Sequence, residues 1–329
     1  MIGDPAGIGP EVCVKAIAAG ELADHCLPLL IGDIAVVRQA AAFCDITLPI
    51  VAVQDPELAG WRAGEIAVLD PGGFDVSALQ IGQASAASGE AVFAGIELGA
   101  RLGSAQHIQG LIWGPVHTDS MKATGRIADI DELQPGGSFM LRITGPLRVV
   151  PLSEHVPLQQ AIDLVTPQRV LALIRLLDTT LKSWGIASPR IAVAGLNPHA
   201  MFEDDRQRID PAVQSARAQG IVVDGPVGPD SVFRLAIEGR YDAVVTMFHD
   251  QGQIVVKTVG FAGACTVYIG LPYVLLNVPH GTAFDIAGKG VAQHQSMLAA
   301  FQTAARLASR RAAPFRTDKT PSTEPDFSR

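Results

Sequence analysis

Five of the eight histidines in this 329-residue chain directly follow an apolar, strand-like run. They are His117 (LIWGPVH), His155 (LRVVPLSEH), His199 (RIAVAGLNPH), His249 (YDAVVTMFHD) and His280 (YVLLNVPH). Imidazole is the commonest side-chain ligand for a divalent transition metal, and in an open α/β sheet the loops beyond the strand carboxyl ends form the ligand crevice. Several imidazoles delivered there can meet around one cation. Spacings of 44 residues from His155 to His199 and 50 from His199 to His249 match no short metal motif. Taken alone, each histidine is more often a hydrogen-bonded loop residue than a metal ligand.

Other reactive groups lie close in sequence. Asp250 adjoins His249, where a carboxylate orients a ligand or caps the next helix. Lys257 follows Ile254–Val256, which reads as a strand, and suits either anion binding or plain solvation. Lys257, Asp250 and His117 are the candidates for general acid or base. The opening Gly3-Asp4-Pro5-Ala6-Gly7-Ile8-Gly9-Pro10 leads into a helix. Its NH groups suit an anion, or the segment is only a tight turn. It is no Rossmann fingerprint, since the glycine spacing is wrong. The segment from His280 to Gly290 sets a histidine, a hydroxyl and an acid among three glycines, which suits a loop wrapping a nucleotide.

The elements that would position these groups alternate. Runs rich in Val, Ile and Leu read as strands: Leu27–Ile31, Ile46–Val53, Ile66–Leu69, Gly110–Trp113, Leu147–Leu152, Arg190–Ala194, Ile221–Val223, Ala243–Phe248, Cys265–Ile269 and Tyr273–Val278. Most lack polar alternation, as strands buried on both faces do. Helical patterns lie between several of them: Pro10–Leu22, Ile34–Phe43, Glu90–Leu102, Gln168–Trp184, Pro211–Gln219 and Ala292–Arg310. The clearest is Gln168–Trp184, with Thr166 placed to cap it and Pro167 at its first position. The alternation predicts an α/β fold with a mainly parallel sheet covered by helices, and the length allows two domains or one two-lobed αβα unit over residues 1–311. The tail from Ala312 to Arg329 has no periodicity and is expected to be disordered.

Net charge is −8 with no basic cluster, which argues against nucleic-acid or anionic-membrane partners. The cysteines Cys13, Cys26, Cys44 and Cys265 show no CxxC spacing, so neither a disulfide framework nor a thiolate metal site is expected. No apolar run reaches the roughly 18 residues of a membrane span, and no signal peptide is read. A cytoplasmic enzyme is expected.

Over nearly its whole length the chain resembles the 4-hydroxythreonine-4-phosphate dehydrogenase family, which has the isocitrate/isopropylmalate dehydrogenase-type fold. The resemblance rests on GDPAGIGPE (3–11), GPVH (114–117), HVPL (155–158), GLNPHA (195–200), DGPVGPDSVF (224–233), HDQG (249–252) and HGTAFDIAGKG (280–290). It implies that His155, His199 and His249 bind a divalent metal, which imidazoles would favour as Zn²⁺, Co²⁺ or Mn²⁺ over Mg²⁺. It assigns NAD or NADP to Asn197, His280, Gly281, Thr282, Ala283 and Asp285. It also implies a homodimer with the active site at the interface, and oxidation of a secondary alcohol in a small hydroxy acid with decarboxylation. Family members have a strand before GDPAGIGPE; here Met1 and Ile2 precede Gly3.

The departures bear on the substrate. The family's Gly-His-Thr-Glu segment corresponds to Pro135-Gly136-Gly137-Ser138. Of the lysine, asparagine and arginine at the phosphate site, Lys257 is kept, whereas Thr266 and Leu275 stand at the other two positions. Gly136, Gly137, Lys257, Thr266 and Leu275 are the substrate-binding candidates. Without the arginine a phosphate loses its bidentate partner, and a leucine there would line the pocket with hydrocarbon. In these departures the chain resembles the terephthalate dihydrodiol dehydrogenase branch, and that resemblance implies an unphosphorylated substrate of the cis-dihydrodiol carboxylate type. The alternatives are 4-hydroxythreonine 4-phosphate and, from another class, the chemistry of a phosphate acetyltransferase-like acyltransferase.

Overall fold

The Val/Ile/Leu runs become strands and the amphipathic stretches between them helices in the computed structural model, which describes residues 1–55, 62, 64–260, 265–278 and 280–309. In chain order these are α1 (Gly9–Ala18), β1 (Leu29–Ile31), α2 (Ile34–Phe43), β2 (Ile50–Val53), β3 (Ile66–Leu69), α3 (Ala86–Ser104), β4 (Gly110–Trp113), α4 (Thr118–Ala123), β5 (Phe139–Thr144) and β6 (Leu147–Pro151). There follow α5 (Leu158–Leu164), α6 (Pro167–Ser183), β7 (Ile191–Ala194), α7 (Asp210–Ala218), β8 (Val223–Val227), α8 (Val232–Ile237), β9 (Ala243–Thr246), α9 (His249–Val259), β10 (Cys265–Ile269), β11 (Val274–Asn277) and α10 (Gln295–Ala308). The fold is α/β with mainly parallel strands.

The chain divides into two compact units. The first holds Met1–Arg142, Ser153–Pro157 and Gly263–Arg310. In it β1, β3 and β2 pair in parallel, in that order. A second group runs β4-β11-β10-β5, with β11 parallel to β4 and antiparallel to β10. Its core gathers Phe93, Leu111, Trp113, Met121, Tyr268 and Leu275. The second unit holds Ile143–Leu152 and Leu158–Ala262. There β6, β9, β7 and β8 run in parallel in that order, over a core including Leu147, Val149, Ala192, Phe233 and Val244.

Helix α6 forms as its pattern predicts. The Thr166 hydroxyl accepts the Arg169 NH, Pro167 starts the helix, and Val170, Leu173, Ile174, Leu177 and Leu181 are fully buried. Each such side chain removed from water contributes about 1.5–3 kcal/mol.

Several elements depart from the sequence reading, among them the short helices α4, α5 and α8, which it did not name. Strand β5 was not expected, because Arg142 breaks its apolar run; Glu154, 12 residues on and just beyond β6, takes that charge. The β-branched run Ile254–Val256 is helical, lying inside α9, so Lys257 sits in a last helical turn rather than after a strand. Tertiary context has overridden a weak local preference. Strand β8 lies further along than Ile221–Val223.

Before the first glycine, Met1 and Ile2 bridge two strands. The Met1 amine donates to Ile112 O (2.6 Å), the Gly114 NH donates to Met1 O (3.0 Å) and the Ile2 NH donates to Ile31 O (3.0 Å). Burial pushes the Met1 amine down to about 6. The segment 312–329 lies outside the described residues. Among the described residues, no helix is long and apolar enough to cross a membrane.

Candidate active-site residues

The glycine-rich opening spends its NH groups inside the first unit. Ala6 NH donates to the Asp4 carboxylate (2.9 Å), Gly7 NH to Asp4 O (3.1 Å), Ile8 NH to Thr282 O (2.9 Å) and Asp4 NH to Pro115 O (2.8 Å). Gly3 is left-handed (φ +80°), and a Cβ there would overlap the Pro115 carbonyl. A Cβ on Gly7 would come within 2.8 Å of the Thr282 Cβ. The segment is therefore a tight packing turn, not an anion cradle. Its helix α1 then holds the later loop: buried Glu11 accepts Gly288 NH (2.6 Å) and Gly290 NH (2.9 Å), while Lys15 Nζ donates to Gly290 O (2.5 Å) and Ala292 O (2.8 Å).

The held loop carries most of the cofactor candidates. Gly281 and Asp285 are exposed, and Ala283 takes a left-handed turn (φ +42°). Thr282 is only 5% exposed, its carbonyl and methyl committed to the contact with the opening turn. His280 Nδ1 lies 3.2 Å from Gly281 O, which fixes the proton there, and its Nε2 is buried without a hydrogen-bond partner among the described residues. Phe284 stacks on His117 (centroids 4.4 Å apart, 11° between planes), so the first unit brings His117 to this loop. His117 Nδ1 also caps α4 by accepting Asp119 NH (3.2 Å). Beneath them Asp4 is fully buried. Burial pushes its carboxyl above the usual range, against the opposing pull of Ser120, the Ala6 NH, His117 and Ser88. Asn197 belongs to the second unit, where its side-chain amide donates to Asp205 (3.3 Å).

Each of the three histidines expected to bind metal has a carboxylate beside Nδ1. In the first unit both Asp131 oxygens lie 2.7 Å from His155 Nδ1. In the second, His249 Nδ1 lies 2.7 Å from Asp250 Oδ1, and His199 Nδ1 lies 3.8 Å from Asp230 Oδ2. At 2.7 Å a carboxylate on Nδ1 of His155 and His249 selects the tautomer that carries its proton there and leaves the Nε2 lone pair as the metal donor, whereas the 3.8 Å between His199 and Asp230 is too long for a hydrogen bond. The imidazole donor set thus fits a divalent cation. Asp250 was legible as a neighbour of its histidine, whereas Asp131 and Asp230 were missed. Asp131 lies 24 residues before His155, with no local pattern to join them.

The loops that present His199 and His249 are fastened within the second unit. His199 and Ala200 are both left-handed (φ +56° and +54°). The fully buried Asp205 carboxylate accepts Leu196 NH (2.7 Å), Asn197 NH (3.3 Å) and Phe202 NH (3.2 Å), closing that turn. Gln251 ties the two loops together by accepting Met247 NH (2.8 Å) and donating to Gly195 O (2.8 Å).

The substrate candidates are scattered. Gly136 and Gly137 lie in an exposed turn of the first unit, and Thr266 is half-buried on β10, paired with Asn277. Leu275 corrects the expectation placed on it: it is 0% exposed in the first unit's core beside Trp113 and Tyr268, so it lines no open pocket. A β-strand buried on both faces takes a leucine for packing alone. Lys257 is exposed on α9 of the second unit.

Residues 24–304 match the family described as "Pyridoxal phosphate biosynthetic protein PdxA". A protein of Novosphingobium aromaticivorans, provisionally named 4-hydroxythreonine-4-phosphate dehydrogenase, is 43% identical over 311 residues, 94% of each chain. The solved 4-hydroxythreonine-4-phosphate dehydrogenase of Klebsiella pneumoniae superposes with a TM-score of 0.83 at 32% identity, covering 93% of this chain and 98% of that one. A terephthalate 1,2-cis-dihydrodiol dehydrogenase from Burkholderia xenovorans LB400 is more distant, with a TM-score of 0.72 at 29% identity over 93% of this chain and 96% of that one.

Proposed function

Because this chain belongs to the PdxA family of pyridoxal phosphate biosynthetic proteins, we propose that it oxidises a phosphorylated hydroxy acid of the 4-hydroxythreonine 4-phosphate type with NAD or NADP and a divalent metal. It is a dehydrogenase acting on CH–OH groups. That membership decides against an acyltransferase.

The substrate reading reverses the expectation of an unphosphorylated dihydrodiol. The similar proteins with higher identity carry phosphorylated substrates in their names. The argument for an apolar pocket rested on Leu275, which the core has sealed. The dihydrodiol reading keeps one support, the missing arginine, and remains the second candidate. A panel of 4-phosphohydroxythreonine and aromatic cis-dihydrodiol carboxylates, run with NAD⁺ and NADP⁺, separates them. Efficient turnover of the dihydrodiol alone would overturn the phosphorylated reading.

The observation that carries the metal reading is the carboxylate hydrogen-bonded at Nδ1 of His155 and of His249. His155, His199 and His249 would hold the ion. When bound, a divalent cation lowers the pKa of the substrate alcohol and stabilises negative charge on its oxygen as hydride leaves and CO₂ is lost. Asp131 and Asp250 orient the rings of His155 and His249, while Asp205 and Gln251 hold the loops of His199 and His249. His117, stacked on Phe284 beside the His280 loop, is the best-placed of the candidates to exchange a proton near the cofactor; Lys257 and Asp250 are the others. His199→Ala is expected to lose metal and at least about 10²-fold in turnover, a few kcal/mol of barrier. Full activity in a metal-free His199→Ala protein would overturn the reading.

A homodimer completes the proposal. Leu158, Met201, Phe202 and Ile254 are 59%, 56%, 51% and 64% exposed, and each lies within five residues of one of the three histidines. Exposed apolar side chains so placed suit a surface closed by a second copy. The cysteines are free thiols, as a cytoplasmic enzyme would keep them.

A further inference from the structure

We propose that Asp131 is a positioning residue for metal binding, acting through His155; the inference rests on the metal reading above and names a group outside the sequence motifs. The carboxylate engages His155 Nδ1 through both oxygens at 2.7 Å, a shared acceptor for one ring proton. His155 is half exposed, with 50% of its side chain open to solvent, so packing alone does not fix its ring. The fixing comes from Asp131.

Asp131 is itself held. It sits in a short 3-10 turn, Ile130–Leu133, entered through a capping box. The Asp129 carboxylate accepts Asp131 NH (3.1 Å), and the Glu132 carboxylate accepts Ala128 NH and Asp129 NH, each at 2.9 Å. Lys122 Nζ lies 3.6 Å from Asp129, fastening the same turn to α4. A rigid turn therefore presents one carboxylate to one imidazole.

A second acid beside His155 is kept out of that role. Glu154 brings a carboxylate oxygen within 4.8 Å of a ring nitrogen of its neighbour. Both its oxygens, however, are taken by the buried Arg142 guanidinium at 2.6 and 2.7 Å, a fork that leaves the carboxylate little freedom to turn. With Glu154 clamped, the Asp131 carboxylate on Nδ1 sets the His155 tautomer, placing the proton on Nδ1 and the donor pair on Nε2. Loss of such an outer carboxylate costs roughly 10–100-fold in metal affinity.

The test titrates the full-length, metal-stripped protein with Mn²⁺ and, separately, Zn²⁺ against a competing chelator. It uses Asp131→Ala, Asp131→Asn and His155→Ala, with thermal melts of the metal-free forms alongside. Asp131→Ala is expected to bind both ions about 10–100-fold more weakly at an unchanged melting temperature. Asp131→Asn, whose amide oxygen still accepts from Nδ1, should recover part of that loss. Should Asp131→Ala fail to fold, Asp131→Asn alone must still bind more weakly than the parent. Parental affinity in the folded Asp131 variants, with weakened binding in His155→Ala, overturns this inference alone. Parental affinity in His155→Ala overturns the metal reading on which it stands.

Discussion

At the scale of single residues, ionisation and hydrogen-bond geometry separate the groups that pack from those that do chemistry. Asp4 and Glu11 are both buried acids of the opening motif, and both serve as acceptors for backbone NH groups of neighbouring turns. Asp4 is held protonated to a higher pH than a free carboxyl because burial disfavours its charge. A carboxyl raised in this way contributes its full stability below its unfolded pKa, and that contribution is lost as pH rises through the folded value. Asp4→Asn has no such titration. Urea unfolding of both proteins from acid to neutral pH is expected to show the asparagine variant gaining on the parent as pH rises. A stability difference that stays flat with pH would count against a buried, reluctantly charged Asp4.

At the scale of elements, strand ends carry the candidate side chains and neighbouring residues decide whether the loops can hold them. The turn after β7 puts His199 and Ala200 in left-handed backbone, which costs about 1–3 kcal/mol for each non-glycine residue unless the surroundings enforce it. Asp205 is that enforcement, since its buried carboxylate gathers three backbone NH groups across the turn. Asp205→Ala leaves those donors without their acceptor and is expected to destabilise the protein by about 2–4 kcal/mol. It should also weaken metal binding, because His199 is no longer presented. A calorimetric melt with and without Mn²⁺ checks both, and an unchanged metal-induced shift would show that the turn holds its shape without Asp205. Strand β5 makes the complementary point: Arg142 sits in a buried strand only because Glu154 meets it, and breaking such a pair is costly while the pair itself is not a large net stabiliser.

At the scale of the whole molecule, the net charge of −8 contrasts with the exposed apolar residues near the histidines, which mark a surface that water covers poorly. The proposed dimer gives them a partner. Ile254→Glu, on the open face of α9, is expected to shift the protein toward monomer in sedimentation, by setting a charge into the interface, and to lower activity at equal protein concentration. A variant that remains dimeric and fully active would place the interface elsewhere. No metal ligand or hydrogen bond described above involves Ile254, so the outcome reads association rather than chemistry.

The α/β class and the family were legible in the sequence because each depends on local runs, whereas His155, His199 and His249 were singled out among five such histidines by the family resemblance alone. Apolar stretches mark strands, and His155, His199 and His249 come directly after them. Helix α9 was misread because Ile254–Val256 favours a strand locally, and only its surroundings make it helical. What tertiary structure alone decided are the relations between distant residues. It sealed Leu275 in a core and so removed the case for an apolar pocket. It turned the glycine-rich opening into the brace of a loop some 280 residues later. It set Asp131 on His155 and Arg142 on Glu154, pairs that no periodicity links. Hydrogen bonds between residues far apart in the chain leave no trace in local pattern, because each partner alone is an ordinary polar residue.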